Sequence, residues 1–226
     1  MAAALTLYRT TIGKKAVMAI TGFIGYGFVI LHMLGNLKIF EGAEGFNEYA
    51  HFLRTVGYPL VPERGLLWVV RIILLTAVIL HITAAIQLTR IDWASRPKGY
   101  RQIRRKQATF AAMTLRWGGL AIFLFIVYHL AHLTFGLGIP NFGGHETAYQ
   151  NVVASFSNPI NVVIYIAGVG ALGMHLYHGV WSMFQTLGLN GPRTDGLWRG
   201  LATLSGILLF LGFSAVPVAV FTGLVR

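Results

Sequence analysis

Five stretches of this chain run for about twenty residues or more with almost no charge, and that constrains the fold more than any other feature. They cover residues 16–37, 66–88, 117–138, 160–187 and 201–225. A helix rises ~1.5 Å per residue, so about 20 apolar residues cross a hydrocarbon core ~30 Å thick. Charged residues make up 11% of the 226, against about 25% in soluble proteins, too few to cover a water-facing surface. The chain is therefore predicted to be all-α, one bundle of five transmembrane helices spanning residues 1–226, with no sizeable soluble domain.

The net charge of +11 invites a nucleic-acid reading, but the charges alternate with topology. The N-terminus, the second-to-third connection and the fourth-to-fifth connection share one side. That side holds Arg9, Lys14, Lys15, Arg90, Arg96, Lys98, Arg101, Arg104, Arg105, Lys106, Arg116, Arg193 and Arg199. The other has Lys38, Arg54, Arg64, Arg71 and Arg226, with Glu41, Glu44, Glu48, Glu63 and Glu146. Basic loops stay in the cytoplasm. The N-terminus is thus expected inside, the C-terminus outside, in the cytoplasmic (inner) membrane of a cell. The basic excess is a topology signal, and no nucleic-acid partner is expected.

The chain has no cysteine, which excludes iron–sulfur ligation and thioether-linked haem in this subunit. Arg9, Lys14 and Lys15 ahead of an apolar stretch resemble a signal peptide, but the stretch is too long and lacks an A-x-A site. It reads as a retained first span. Phe46, Tyr49, Phe52, Leu53 and Val56 have helical spacing and predict a short amphipathic helix on the membrane in the outer connection. Trp93, Tyr100 and Trp117 stand as interfacial anchors, and the second outer connection, 139–159, reads as turns. Gly22, Gly119 and Gly168 each lie ten residues before a histidine, where a small residue admits a planar group or a neighbouring helix.

Six of the eight histidines fall inside spans: His32, His81, His129, His132, His175 and His178. Ionisable residues in a membrane are costly and mark function. A proton pump or cation transporter would pair such histidines with carboxylates, and no span contains Asp or Glu. Each of the first four spans carries histidine in its later part. Successive helices reverse direction, so His32 and His129 lie toward the outside, and His81 and His178 toward the cytoplasm. The two levels are expected very roughly 10 Å apart. In a four-helix bundle helices one and three are diagonal, as are two and four. Each level then offers two facing imidazoles, the arrangement of a bis-histidine b-type haem. Zinc would want three or four ligands at one level.

Two helices leave a choice of ligand, because His129 and His132 are three apart, as are His175 and His178. His175, His178, Ser182 and Gln185 form one polar stripe, expected to face the interior. Thr21 shares the face of His32. Ser182 and Thr21 can serve a haem or quinone, or simply bond across helices.

These residues resemble the di-haem cytochrome b anchor of succinate:quinone oxidoreductases (succinate dehydrogenase and fumarate reductase), the type with a single five-helix anchor chain. The likeness rests on Thr11-Ile-Gly-Lys-Lys-Ala-Val-Met-Ala-Ile-Thr-Gly, Ile30-Leu-His-Met-Leu-Gly-Asn and Met113-Thr-Leu-Arg-Trp-Gly-Gly. It rests further on Val127-Tyr-His-Leu and His175-Leu-Tyr-His-Gly-Val-Trp-Ser-Met-Phe-Gln-Thr-Leu-Gly. The resemblance implies haem iron held by His81 with His178 on the cytoplasmic side and by His32 with His129 on the outer side. His175 and His132 become neighbours of the ligands.

The resemblance also implies partners: a flavoprotein subunit with covalent FAD, an iron–sulfur subunit and membrane quinone, usually menaquinone. Succinate chemistry would lie outside this chain. Some fumarate reductases of this kind carry a glutamate two positions before the H-G histidine for transmembrane proton transfer; here that residue is Leu176. Quinone is expected on the outer side near His32, His129 and the 49–63 connection, with Arg71 there to assist it or to reach for the headgroups. The other reading is a di-haem anchor of a different quinone-linked dehydrogenase, such as a formate dehydrogenase or hydrogenase. Cytochromes of the bc type usually place two histidines about fourteen apart on one helix, a pattern absent here. The fifth span, without interior polar groups, is expected to face lipid or another protomer.

Overall fold

A computed structural model describes residues 8–95 and 110–226. Among them all regular structure is helical. Seven helices follow in order: α1 Thr11–Leu37, α2 Gly42–Thr55, α3 Gly65–Ala94, α4 Phe110–His129, α5 Ala148–Phe156, α6 Pro159–Thr186 and α7 Asp195–Phe221. A 3₁₀ turn, Lys38–Glu41, joins α1 to α2, and α4 runs on through a π-helical turn, Leu130–Thr134. Helices α1, α3, α4, α6 and α7 are long and apolar enough to cross a membrane. The bundle is all-α with five such helices, as the uncharged stretches predict.

Local chemistry fixes the helix starts. The Thr10 hydroxyl accepts from the Gly13 N–H (3.0 Å) at the head of α1. Asn158 Oδ1 accepts from the Ile160 N–H (2.9 Å) ahead of Pro159, whose fixed φ and missing N–H suit the first helical position. Asp195 puts a carboxylate in the first turn of α7, where the helix dipole favours it.

The spans form an open square. Helix α3 packs on α1, α1 on α6 and α6 on α4, while α7 covers α1 and α6. The tightest seam is α6–α7. A Cβ placed on Gly206 would lie 2.8 Å from the Gly173 carbonyl oxygen, so the backbones meet where only glycine fits. Helices α3 and α4 flank the remaining side and are not a closely packed pair.

The amphipathic helix of the first outer connection is present as α2. Its Phe46 is buried against Tyr149 (ring centres 6.4 Å), while Phe52 and Leu53 stay exposed. The second outer connection differs from its sequence reading, because it contains α5. There Tyr149, Val152 and Phe156, spaced i, i+3 and i+7, form a buried face. Together α2, α5 and the ends of α6 and α7 build an apolar core from Ile39, Phe46, Tyr149, Phe156, Val216 and Val220.

At the opposite, basic end, both acids are paired with arginine: Asp92 with Arg116 (2.5 Å) and Asp195 with Arg199 (2.6 Å). Asp195 also accepts from Trp181 Nε1 (2.9 Å) and Asn190 Nδ2 (3.0 Å), which closes the α6–α7 connection. Arg96, Lys98, Tyr100, Arg101, Arg104, Arg105 and Lys106 lie outside the described residues.

Candidate functional site: two facing histidine pairs

His81 projects from α3 toward α1, and α1 orients it. Its Nδ1 lies 3.1 Å from the Met18 carbonyl oxygen and 3.2 Å from Thr21 Oγ1. The Thr21 hydroxyl donates to the Val17 carbonyl (2.7 Å), so both neighbours of Nδ1 are acceptors and Nδ1 carries the proton. The lone pair of His81 is then on Nε2, the tautomer that could offer Nε2 to a metal. Gly22 faces the ring: a Cβ there would meet His81 Cε1 at 3.4 Å, an ordinary van der Waals contact.

The ring opposite is that of His175 on α6, with centres 6.2 Å apart and planes at 62°. Its Nδ1 is buried and, among the described residues, has no hydrogen-bond partner. His178 is elsewhere. Three residues further along α6, it lies beside Trp181 (6.1 Å), next to the Asp195 network. The structure thus brings His175 to His81 and leaves His178 nearer the basic end. Of the remaining polar stripe, Ser182 is half-buried, but Gln185 is exposed rather than interior.

At the acidic end His32 of α1 faces His129 of α4, ring centres 5.8 Å apart and nearly perpendicular. Aromatic rings enclose the pair. Phe28 stacks on His32 (5.2 Å), Phe213 approaches it (5.8 Å), and Phe125 and Tyr165 flank His129 (6.0 and 5.8 Å). Among the described residues neither imidazole is hydrogen-bonded. Immediately after His129 the helix widens into the π turn, where the Phe135 N–H reaches the Leu130 carbonyl (3.2 Å).

His132, within that turn, is 2% exposed and fully engaged. The Asn161 amide (3.4 Å) and the Ser155 hydroxyl (3.3 Å) approach Nε2, and Nδ1 lies 3.1 Å from the Tyr165 hydroxyl. Asn161 in turn accepts from Tyr128 (2.9 Å). With both ring nitrogens satisfied by its own chain, His132 ties α4 to α5 and α6. Sequence reasoning missed Ser155, Asn161 and Tyr165 as its partners. The available signal was Asn161 and Tyr165 four apart in an apolar span, hence on one helix face.

The glycines ten residues before histidines serve unlike purposes. Gly22 faces His81, Gly168 lies against the Phe125 ring, and Gly119 has open space around it. Arg71 is half-buried, its guanidinium 5.0 Å from the Trp68 ring centre. His51 is on α2 and exposed.

Two independent helices give the separation of the pairs. On α1, His32 lies ten residues beyond Gly22, which faces His81. On α6, His175 lies ten residues beyond Tyr165, which touches His129. Each interval amounts to about 15 Å of helix, wider than the rough 10 Å expected from span lengths.

Two imidazoles on opposite sides of one metal, with bonds of about 2 Å each, put ring centres about 6 Å apart. Both pairs meet that spacing. In both, the partners come from helices that are not closely packed neighbours, α1 with α4 and α3 with α6. Among the described residues no three His, Asp or Glu side chains converge as a closed zinc site would need. The donor set suits a metal already held equatorially and needing two axial nitrogens, and haem is such a group.

Fold and site together define a multi-pass, all-α membrane protein with two levels of paired interior imidazoles. No family model, curated protein or solved structure matches the chain.

Proposed function

We propose that this chain is the membrane anchor of a succinate:quinone oxidoreductase, carrying electrons through two b haems between a cytoplasmic flavoprotein/iron–sulfur pair and membrane quinone. The observation that carries the reading is the pair of imidazole pairs, one above the other inside a five-helix bundle. The segment resemblances given above supply the partners and menaquinone as the usual acceptor. The basic end, with its Arg and Lys excess, is the cytoplasmic face that receives the soluble subunits.

When bound, haem iron supplies one-electron carriage. The chain's own residues do the rest. His32 and His129 would hold the haem nearer the acidic end. His81 would hold the other together with His175, whose ring faces it, in place of the His178 that the resemblance implies. Met18 and Thr21 keep the His81 proton on Nδ1 and its lone pair free. With two histidines holding each haem, no position would stay open for a substrate, which suits electron transfer. Phe28, Phe125, Phe213 and Tyr165 exclude water from the outer pair, and a dry, apolar surround raises the cost of charging the iron.

A reduced-minus-oxidised spectrum with a haem count on the purified protein tests the reading. Two b haems per chain are expected, and a chain carrying none overturns it. Co-purification separates the kind of dehydrogenase: a covalent-flavin subunit is expected, and a molybdenum or nickel subunit would refute the succinate assignment.

A further inference from the structure

At the acidic end three arginines and a histidine converge, with Glu63 and Glu146 next to Arg64 and His145 in the chain but, among the described residues, in no ion pair with the arginines. The Arg64 N–H donates to the Arg54 carbonyl (2.6 Å), which joins the end of the α2 connection to the start of α3. Arg71 follows Arg64 by seven residues, two turns along the same face of α3. His145 comes from the opposite direction, in the segment between α4 and α5. It lies within electrostatic reach of Arg54, Arg71 and Arg64, and Arg54 within reach of Arg64 and Arg71. Burial, and then those three cations, hold the His145 pKa below its ordinary value.

Five glutamates share this end, yet among the described residues none of the three arginines is in an ion pair. Glu41 is taken by Lys38 (2.8 Å). Arg71 begins about 9 Å inside α3, at a depth where an unpaired charge is costly. A guanidinium does not escape that cost by losing its proton; the Trp68 ring beside it offsets part of the cost, and an anion would offset the rest. Its planar fork matches the two oxygens of a carboxylate or phosphate.

The level of the cluster identifies the anion. Helices α1 and α3 are antiparallel, and Gly22 stands opposite His81. Ten residues back along α3 is Arg71, and ten residues on along α1 is His32. Arg71 is therefore level with the His32–His129 pair. His145 belongs to the chain that leaves α4, the helix of His129, so the cluster brackets the open side of the square at that level.

We propose that Arg54, Arg64, Arg71 and His145 form a carboxylate site for the two propionates of the haem held by His32 and His129. Two carboxylates against three guanidiniums balance most of the charge. The proposal rests on the haem reading above and adds to it the side from which that haem's polar edge is held. A phospholipid phosphate is the competing source of oxygen anions at this depth.

The test uses the full-length chain carrying His81→Ala, and separately His175→Ala, so that only the outer pair remains. Each protein is made in haem-depleted cells and titrated with haem and with haem dimethyl ester, whose carboxylates are blocked, while Soret absorbance is followed. Haem is expected to bind on the order of tenfold more tightly than the ester, the ratio one charge-assisted hydrogen bond sustains. Arg71→Leu or Arg54→Gln should bring that ratio close to one by weakening haem alone, and Arg71→Lys should restore part of it. Equal affinity for haem and ester overturns the proposal while leaving the haem reading intact. So does a ratio the arginine variants do not move, including the case where co-purified phospholipid phosphorus falls instead. Absence of any Soret band in both backgrounds overturns the haem reading itself.

Discussion

Near the basic end a neighbouring helix reaches across to hold one imidazole: the Met18 carbonyl and the Thr21 hydroxyl of α1 fix the ring of His81 on α3. Near the acidic end no hydrogen bond holds His32 or His129 among the described residues, and four aromatic rings hold them by shape. The first pair is oriented by directional bonds that define a tautomer. The second is oriented by packing that defines only a volume. A bond-oriented site is sensitive to the loss of one acceptor, whereas a packing-oriented site is sensitive to a misplaced methyl group. The polar network of the acidic end is displaced one turn, onto His132, where it joins helices.

The sharpest way to break the comparison is to remove a ring from the basic-end pair. On the haem reading, His175→Ala is expected to cost one of two haems, while His178→Ala keeps both, with bound haem per chain as the readout. The opposite result would return the ligand role to His178. Next in size is His132→Leu. It strands Asn161, Ser155 and Tyr165 without their buried partner, and unsatisfied buried groups cost about 1–3 kcal/mol each. Thermal denaturation in detergent should show a loss of a few kcal/mol, with the haem count unchanged.

Smaller effects separate the two modes of support. Gly168→Ala drives a methyl group into the Phe125 ring beside His129, an overpacking cost of about 1–3 kcal/mol, which should perturb the acidic-end haem alone. Gly22→Ala places its methyl 3.4 Å from His81, an ordinary contact, and should be nearly silent by the same spectral measure. Smallest is Thr21→Val, which removes one acceptor from His81 Nδ1 and leaves the Met18 carbonyl. A loss of ~1 kcal/mol and, on the haem reading, a shifted midpoint potential of the basic-end haem only are expected. Equal shifts at both haems would erase the distinction drawn here.

Much of this architecture can be read from residue order. Lipid demands length and apolarity of a helix, and both are local, so the five spans agree with the structure to within a few residues, save longer starts at α1, α4 and α7 and a longer end at α3. That two helices would each bring a histidine to a partner follows from alternating direction alone. The choice between His175 and His178 does not, because three residues is nearly one turn and rotation of α6 against α3 decides it. The function of His132 was equally hidden, since its partners Ser155 and Asn161 lie 23 and 29 residues away. Helix α5 was legible in principle. Tyr149, Val152 and Phe156 carry helical spacing, but the glycines and prolines on either side are turn formers that mask it.

The open square has a consequence for the life of the protein in a cell. Helix α3 is secured among the spans by α1, and α4 by α6, while the seam of Gly173 and Gly206 welds α6 to α7. On the haem reading each iron would tie together two helices that otherwise hardly meet, a crossbar rather than a passenger. A ligand that binds only the folded state stabilises it by mass action. Copies that have not yet received their iron would be the first to open, and the first to be cleared by membrane proteases. Iron supply, more than synthesis, would then set how many anchors the membrane keeps.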